Sequence, residues 1–222
     1  MVGIGAIAME FCGCGGKRLR PRLCVAAYRA ALSTACSQQL PNARIEDLCE
    51  AVECFHKASL IHDDIQDCDE ERYGRPTVWK EHGVAVAIAA GDWLVAHGYE
   101  LIIRSGFPNA LAMLKSTVAS HVALCEGQGD DLLNPQPSTL NPQPYLSICE
   151  RKTGEAFALA AELGALAAGV DGAPYRQYGL DFGILFQVRD DLADGDSQEV
   201  KLGEGPRVPG RMQRCPICKG RG

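Results

Sequence analysis

Two acidic motifs with the same spacing are the residues of this sequence best suited to chemistry. Both follow the pattern Asp-Asp-x-x-Asp, in "HDDIQD" and "RDDLAD": Asp63, Asp64 and Asp67, and Asp190, Asp191 and Asp194. On a helix, carboxylates one turn apart share a face and repel each other, and a divalent cation between them relieves that repulsion. Mg²⁺ suits such a pair because it takes few protein oxygens and completes its octahedron with water and phosphate.

One motif alone is equally well explained as a solvated helix end. The repeated spacing favours a metal site, because two facing acidic patches could hold a deep cluster of three ions. At about 100° per residue, His56 falls on the face of the first motif, and Gln187 falls on the face of the second. We therefore predict an Mg²⁺ site between two helices.

A basic segment could supply an anion site beside these carboxylates. In "GGKRLRP", Lys17, Arg18 and Arg20 follow two glycines at a predicted helix start, where free backbone N–H groups also favour phosphate. An ordinary basic surface turn is the alternative, and in isolation the better one. Downstream, Lys152 and Thr153 precede Gly154, which weakens the helix locally and lets polar neighbours turn inward. A solvated lysine explains that segment equally well.

The elements that must position these groups are helical. Apolar residues recur at spacings of three and four, and Ala and Leu are abundant, so the sequence predicts an all-α fold. We predict helices at 20–38, 44–67, 83–104, 109–127, 146–169 and 174–194. The repeated "LNPQP" predicts an exposed linker at 133–145, because proline cannot occupy a helix interior. We predict an irregular segment at 1–14, one domain at 15–201 and an irregular tail at 202–222.

Composition excludes several classes of protein. The 222 residues are 46% apolar with a net charge of −6, which fits one globular domain and argues against nucleic-acid or anionic-membrane binding. No apolar run approaches the ~18 residues of a membrane span. The 11 cysteines are scattered through helix-like stretches, so we expect reduced thiols and a cytoplasmic location, or an organelle if a targeting segment is missing. "CPIC" at 215–218 has zinc-ligand spacing, but only "CGC" at 12–14 could complete the set, which disfavours zinc.

The ordered set of motifs resembles the trans-isoprenyl diphosphate synthases, or polyprenyl synthetases. The matching segments are "GGKRLRP", "HDDIQD", "GRPT", "GDWL", "KTG" and "FQVRDDLAD", over roughly residues 15–201. Each segment is weak alone, and the ordered set is specific. The resemblance implies an isoprenoid synthase-type helical bundle with a deep central cavity, and a homodimer or a heteromer with a related synthase.

The resemblance also implies a reaction. With Mg²⁺ as cofactor, the allylic prenyl diphosphate loses diphosphate to form a carbocation, which the double bond of isopentenyl diphosphate attacks. A proton is then lost, with the released diphosphate as the expected base, and the product is one isoprene unit longer. The matching positions imply these roles: Asp63, Asp67 and Asp190 hold Mg²⁺; Asp64, Asp191 and Asp194 support them; Lys17, Arg18, Arg20 and His56 hold isopentenyl diphosphate; Arg72, Lys152, Thr153 and Gln187 contact the allylic substrate. Gln187 or Thr153 is expected to stabilise the positive carbon.

Product length is also implied at two positions. In this family, bulky residues one turn before the first acidic motif block the growing chain. Ala58 and Ser59 are small, so we expect geranylgeranyl diphosphate or a longer product rather than farnesyl diphosphate.

The sequence departs from the family pattern in two ways. Tyr73 stands where a second arginine is usual, so weaker binding of isopentenyl diphosphate is expected unless another cation compensates. The terminal helices of the family are not evident, so we expect a bundle shortened at both ends, with Lys201 as candidate for a further substrate-binding lysine.

The alternatives to an active synthase are an inactive subunit that modulates an active partner, a structural metal-binding bundle and a terpene cyclase. "DDLAD" disfavours the cyclase, where an Asn/Ser/Glu metal triad is expected.

Overall fold

Nine α-helices, one π-helical turn and one short hairpin form the part of the chain that this computed structural model describes, residues 3–35, 43–133 and 142–199. The helices are α1 (Ile4–Gly13), α2 (Leu19–Ala35), α3 (Ile45–Asp67), α4 (Val78–His82), α5 (Val84–Arg104), α6 (Ala110–Leu133), α7 (Pro142–Cys149), α8 (Glu155–Ala167) and α9 (Ala173–Glu199). The hairpin strands are β1 (Glu71–Arg72) and β2 (Arg75–Pro76), and the π-turn is Glu150–Gly154. The predicted all-α class is confirmed.

Helix α1 is the main correction to the predicted elements. The irregular segment expected at 1–14 is wrong for 4–13, which form this helix. Its ends carry no capping side chain and its first turn no acidic residue, so local signals for a helix are weak. Ala8, Phe11 and Cys12 are buried, and packing against α5 and α3 stabilises the helix instead.

The other differences from the predicted elements concern the prolines of α7 and the hairpin. Helix α7 begins at Pro142, inside the predicted linker, and its two prolines lie in the first turn, where no intrahelical N–H is needed. The hairpin was not predicted because its strands have two residues each, too few for an alternating pattern. Residues 134–141 of the repeat, Lys201 and the tail at 202–222 lie outside the described residues.

Helix α3 lies at the centre of the molecule, against α5 on one side and α1 and α2 on others. Helix α8 forms a second centre between α2 and α9, and it also contacts α3 and α6. Large side chains from these helices are fully enclosed: Leu48, Ile61, Leu94, Leu101, Phe157 and Leu163. The first acidic motif ends α3 and the second lies in the C-terminal part of α9, so each motif is carried by a helix packed on this core.

Glycines allow the helices around α8 and α9 to approach closely. A Cβ atom at Gly164 would lie 2.2 Å from the backbone oxygen of Cys24 on α2. A Cβ atom at Gly183 on α9 would lie 2.7 Å from the Cα atom of Gly154, the last residue of the π-turn. Backbones this close exclude any side chain, so α9 is held directly against the π-turn.

The outer face of α9 is apolar and exposed. Tyr178, Phe182, Leu185 and Leu192 follow one another at helical spacing, and their exposed fractions are 62%, 38%, 69% and 67%. A helix of a soluble domain normally turns such a stripe toward its core. Helix α9 therefore packs one side against the π-turn and α8, and its opposite side carries an exposed apolar stripe.

Helix α5 differs from the sequence expectation about membrane spans. Within the described residues it is the one helix long and apolar enough to cross a bilayer, with a mean hydropathy of 1.3 over its best window. This is weak evidence for a span, because 39% of that window is buried inside the protein and a core helix passes the same test. Leu94, Leu101 and Ile102 of α5 are fully enclosed.

The Gly154–Gly183 contact leads to a stability prediction. Gly183→Ala should lower the free energy of unfolding by about 1–3 kcal/mol, because the added methyl group overlaps a backbone that cannot move freely. Gly129→Ala is the matched control, since nothing lies within 4 Å of a Cβ atom there. It should raise the free energy of unfolding by about 0.5–1 kcal/mol through helix propensity. Urea denaturation measures both, and a Gly183→Ala variant as stable as the wild type would contradict the close contact.

Candidate functional site

The first acidic motif lies in the last turn of α3. The helix ends at Asp67, and Cys68 adopts a left-handed conformation with φ of 58° while its N–H donates to the carbonyl of Asp64. Two carboxylates therefore lie at the negative end of the helix dipole. Burial raises the pKa of Asp63, and the charge of Asp67 raises it further. A bound cation would relieve burial, repulsion and the unfavourable dipole together.

Asp64 differs from its two neighbours. Its side chain is 1% exposed, and the Nε atom of Arg72 donates to Oδ1 of Asp64 at 2.6 Å. Burial raises the pKa of this carboxyl, and the hydrogen bond from Arg72 opposes that shift. The other oxygen, Oδ2, has no hydrogen-bond partner. Asp64 thus fixes the guanidinium of Arg72 beside the motif, while the metal-supporting role expected from the sequence stays a prediction.

The π-turn lies between the two acidic motifs. The prediction that Gly154 disturbs the helix here is confirmed, since Glu150–Gly154 leave α-helical geometry. The Oγ1 atom of Thr153 donates to Oε1 of Gln187 at 2.7 Å, and Nε2 of Gln187 donates to Oδ1 of Asp191 at 2.8 Å. Burial raises the pKa of Asp63, and the positive charge of Lys152 opposes that shift. One turn therefore reaches both motifs, and π-turns of this kind are frequent at functional sites.

The second motif is only partly described. Asp190 is half-buried and accepts a hydrogen bond from Arg189 at 3.1 Å, while Asp191 is exposed and bonded to Gln187. The side chain of Asp194 lies outside the described residues. Among the side chains that are described, no cluster of three or more His, Cys, Asp and Glu groups could hold a metal by itself. The predicted trinuclear site stays a prediction, and the carboxylate pair on α3 is an oxygen donor set of the kind Mg²⁺ uses.

The basic segment precedes and begins α2. Gly15 and Gly16 have φ of 56° and 87°, and Arg18 has φ of 49°, so three of four consecutive residues adopt conformations that L side chains rarely take. Lys17 and Arg18 are exposed, and Nε of Arg18 lies 4.0 Å from Oε1 of Glu53. Glycine takes such angles without strain, whereas Arg18 is strained, and strained residues are concentrated at ligand-binding sites.

Arg20 and His56 form the buried end of the basic segment. Nη1 of Arg20 lies 3.1 Å from Nε2 of His56, and the guanidinium lies 4.5 Å from the centroid of the Phe157 ring. Since guanidinium only donates, Nε2 of His56 accepts and the ring is neutral. Burial, and then the charge of Arg20, lower the pKa of His56 to about 2. The Nε–H donor of Arg20 is buried without an acceptor, which a bound anion would supply.

The chain-length positions differ from each other. Ala58 is 1% exposed and belongs to the hydrophobic core, whereas Ser59 is exposed and donates to the carbonyl of His56 at 2.8 Å. Ser59 lies one turn before Asp63 on α3, as predicted. Only Ser59 therefore offers a position where a larger side chain could enter open space.

Two residues near this site are not evident from the motifs, Glu53 and Lys57. Both are buried on α3, with exposed fractions of 1% and 0%. The available signal is their spacing, because charges at i and i+4 on the apolar face of a helix predict a buried pair.

A groove of about 400 Å³ between α2, α8 and α9 is lined by small apolar residues and tyrosines, and none of the acidic residues line it. The deep central cavity stays a prediction.

Known proteins resemble this chain in sequence. A model of the polyprenyl synthetase family matches residues 3–206. The chain is 34% identical over 204 residues to a geranylfarnesyl diphosphate synthase from Natronomonas pharaonis, an alignment that covers 86% of this chain and 60% of that protein. It is 31% identical to heptaprenyl diphosphate synthase component 2 from Geobacillus stearothermophilus, covering 90% of this chain and 61% of the relative.

Solved structures show the same fold. A polyprenyl synthase from Caulobacter crescentus, crystallised with calcium and isoprenyl diphosphate, matches with a TM-score of 0.74 and 35% identity over 84% of this chain and 55% of that one. A geranylgeranyl pyrophosphate synthase matches with a TM-score of 0.75 and 28% identity, over 91% of this chain and 59% of that one. The chain thus spans about 60% of the length of the curated relatives it matches.

The buried imidazole of His56 gives a pH prediction. The unfolded chain binds its proton near pH 6.5, whereas the folded pKa is about 2, so the unfolded state binds more protons between these values. The wild type should therefore lose stability as the pH falls below 6.5, by up to about 2 kcal/mol at pH 5 from this residue. His56→Gln keeps an acceptor for Arg20 and should remove that part of the loss.

The measurement is urea denaturation of both proteins at about pH 7.5 and pH 5. His82→Gln, at an exposed position, is the control and should keep the wild-type pH dependence. If His56→Gln loses as much stability as the wild type over this pH interval, the assignment of a buried neutral imidazole to His56 is wrong.

Proposed function

The chain belongs to the polyprenyl synthetase family, and from that membership we propose that it is a trans-prenyltransferase that joins isopentenyl diphosphate to an allylic prenyl diphosphate. The observation that carries the proposal is the hydrogen-bond chain from Thr153 through Gln187 to Asp191, with Lys152 acting on Asp63 from the same turn. This chain ties two uncharged side chains to the second acidic motif, and the charge of Lys152 links the same turn to the first.

The residues divide into two substrate sites. Asp63, Asp67 and Asp190 would hold Mg²⁺, and Lys152 and Arg72 would contact the allylic diphosphate. When bound, Mg²⁺ neutralises the diphosphate and makes it a better leaving group. The hydroxyl oxygen of Thr153 and the amide oxygen of Gln187 would face the positive carbon, where preorganised dipoles stabilise developing charge.

Isopentenyl diphosphate would bind at the basic segment. The Nε–H of Arg20 lacks an acceptor, and neutral His56 holds the other side of the guanidinium. Burial lowers the pKa of Arg20 to about 10, so the guanidinium stays charged near neutral pH. Lys17 and Arg18 would add exposed cations that draw in the anion. Lys201, outside the described residues, is proposed as a further contact from family resemblance.

Assembly is part of the proposal. Helix α6 exposes Leu111, Val118 and Val122 at helical spacing, with exposed fractions of 67%, 51% and 53%. Burial of such a stripe by a second copy would give the homodimer. The relative from Geobacillus stearothermophilus is named as one component of a heptaprenyl diphosphate synthase, which supports a second candidate. In that case this chain would be one subunit of a two-component synthase.

A product assay tests the proposal. Purified protein is incubated with labelled isopentenyl diphosphate, allylic primers of several lengths and MgCl₂, and the products are separated by chromatography. Elongated prenyl diphosphates are expected. A folded protein that makes none, yet changes the product of an added partner synthase, would favour the subunit, and cyclic hydrocarbon would favour a cyclase.

The metal ligands are tested in the same assay. Asp63→Asn and Asp190→Asn should each lower kcat by at least about 100-fold, because each removes charge stabilisation of the leaving diphosphate. Asp181→Asn is the matched control, since Asp181 is exposed on α9 and bonds only to Gln177 among the contacts described. Equal activity of Asp63→Asn and Asp181→Asn would contradict the assignment of the first motif.

Product length is tested at Ser59. Ser59→Phe places a ring in open space one turn before Asp63 and should shorten the longest product by at least one isoprene unit. Ala58→Phe is a poor test, because Ala58 is enclosed in the core and overpacking costs about 1–3 kcal/mol of stability. Ser33→Phe, at an exposed position on α2, is the control. Identical product lengths from the wild type and Ser59→Phe would show that the chain grows elsewhere.

A further inference from the structure

Lys57 is a buried ammonium group without a place in the proposed reaction. Its side chain is fully enclosed, and Nζ donates to the carbonyl oxygen of Cys14 and, at 3.3 Å, to that of Gly15. Burial lowers the pKa of Lys57, and the carboxylate of Glu53, one turn earlier on α3, opposes that shift. A lysine is almost never enclosed unless its charge is paired. Here the pairing joins α3 to the glycine turn before the basic segment.

Tyr73 holds the same turn from another side. A Cβ atom at Gly15 would lie 2.5 Å from Cγ of Tyr73, so the ring packs directly against the glycine backbone. Nζ of Lys57 lies 4.5 Å from the centroid of the Tyr73 ring. Tyr73 itself has φ of 55°, in the hairpin turn between β1 and β2. A bulky residue keeps that conformation only where its surroundings fix it.

The conformation of the Cys14–Gly16 turn determines where the basic side chains of the next residues are placed. Gly15 and Gly16 lead directly into Lys17 and Arg18, and Arg18 is again left-handed. Glu53 connects the two ends of this structure, because its carboxylate acts on the ammonium of Lys57 and lies 4.0 Å from Nε of Arg18. Anchoring the turn therefore fixes the starting backbone of the basic segment, and a fixed backbone lowers the entropy lost when an anion binds.

We propose that Lys57 and Tyr73 form a clamp that holds the Cys14–Gly16 turn in its ligand-binding conformation and thereby sets the affinity of the basic segment for the diphosphate of isopentenyl diphosphate. The clamp rests on the proposed function for the identity of that substrate. Both residues are positioning residues, since the hydrogen bonds of Nζ end on backbone carbonyls. The clamp also gives Tyr73 a role where the sequence implied only a missing charge.

The clamp is tested with inorganic diphosphate in EDTA, so that no metal-held site contributes. Isothermal titration calorimetry compares the wild type with Lys57→Met, Tyr73→Ala and the conservative Tyr73→Phe. Lys57→Met and Tyr73→Ala should weaken diphosphate binding about tenfold. Tyr73→Phe keeps the ring and should stay within about twofold of the wild type. The controls are Lys80→Met, a surface lysine paired with Glu70, and Tyr178→Ala on the outer face of α9.

Kinetics separate positioning from general loss of structure. In the clamp variants KM for isopentenyl diphosphate should rise about tenfold while kcat and KM for the allylic substrate change less than about twofold. Tyr73 is 44% exposed, so Tyr73→Ala keeps the fold and decides the question if Lys57→Met does not fold. Circular dichroism and thermal melting check each variant.

Each outcome has one meaning. Wild-type diphosphate affinity in folded Lys57→Met or Tyr73→Ala overturns the clamp, and so does an equal loss in the two controls. Weaker binding in the clamp variants together with no prenyl elongation by the wild type upholds the clamp and overturns the proposed function. A wild-type protein that does not bind diphosphate overturns the clamp, and the proposed function is then decided by the elongation assay.

Discussion

The close approach of two backbones at Gly154 and Gly183 determines the geometry of the whole candidate site. Because a Cβ atom at Gly183 would lie 2.7 Å from the Cα atom of Gly154, α9 lies against the π-turn instead of being spaced from it by a packed side chain. The short distance between α9 and the π-turn allows Thr153 to reach Gln187, and Gln187 then orients Asp191. Since the charge of Lys152 in the same turn acts on Asp63, the relative placement of the two acidic motifs depends on two residues that carry no chemistry of their own.

Desolvation is the second constraint. The pKa of Asp63 is raised, and those of His56 and Arg20 are lowered, each with burial as the largest cause. Each of these groups is therefore held where its charged form is disfavoured. A ligand that brings both metal ions and phosphate oxygens would supply opposite charges to both kinds of group at once. Electrostatic stabilisation is most effective where the fold holds such groups in fixed positions.

Much of the fold follows from the sequence because helix periodicity is a local property. The helices that carry Asp63 and Asp190 were predicted from spacing alone, and Gly154 indicated the disturbance that proves to be the π-turn. Helix α1 was missed because its stability comes from contacts with distant helices. The pairing of Asp64 with Arg72 was missed for a related reason, since it forms across the turn that ends α3 and depends on the burial of that carboxylate.

The apolar outer stripe of α9 connects assembly to the chemistry of the opposite face. Among the described residues, the helix that carries Asp190 and Asp191 packs one side on α8 and the π-turn, while Leu185 and Leu192 on its opposite side are exposed. Any surface that buries Leu185 and Leu192 would also immobilise these carboxylates. Association through this stripe and metal binding at the second motif would then be thermodynamically linked, and each would strengthen the other by the same factor.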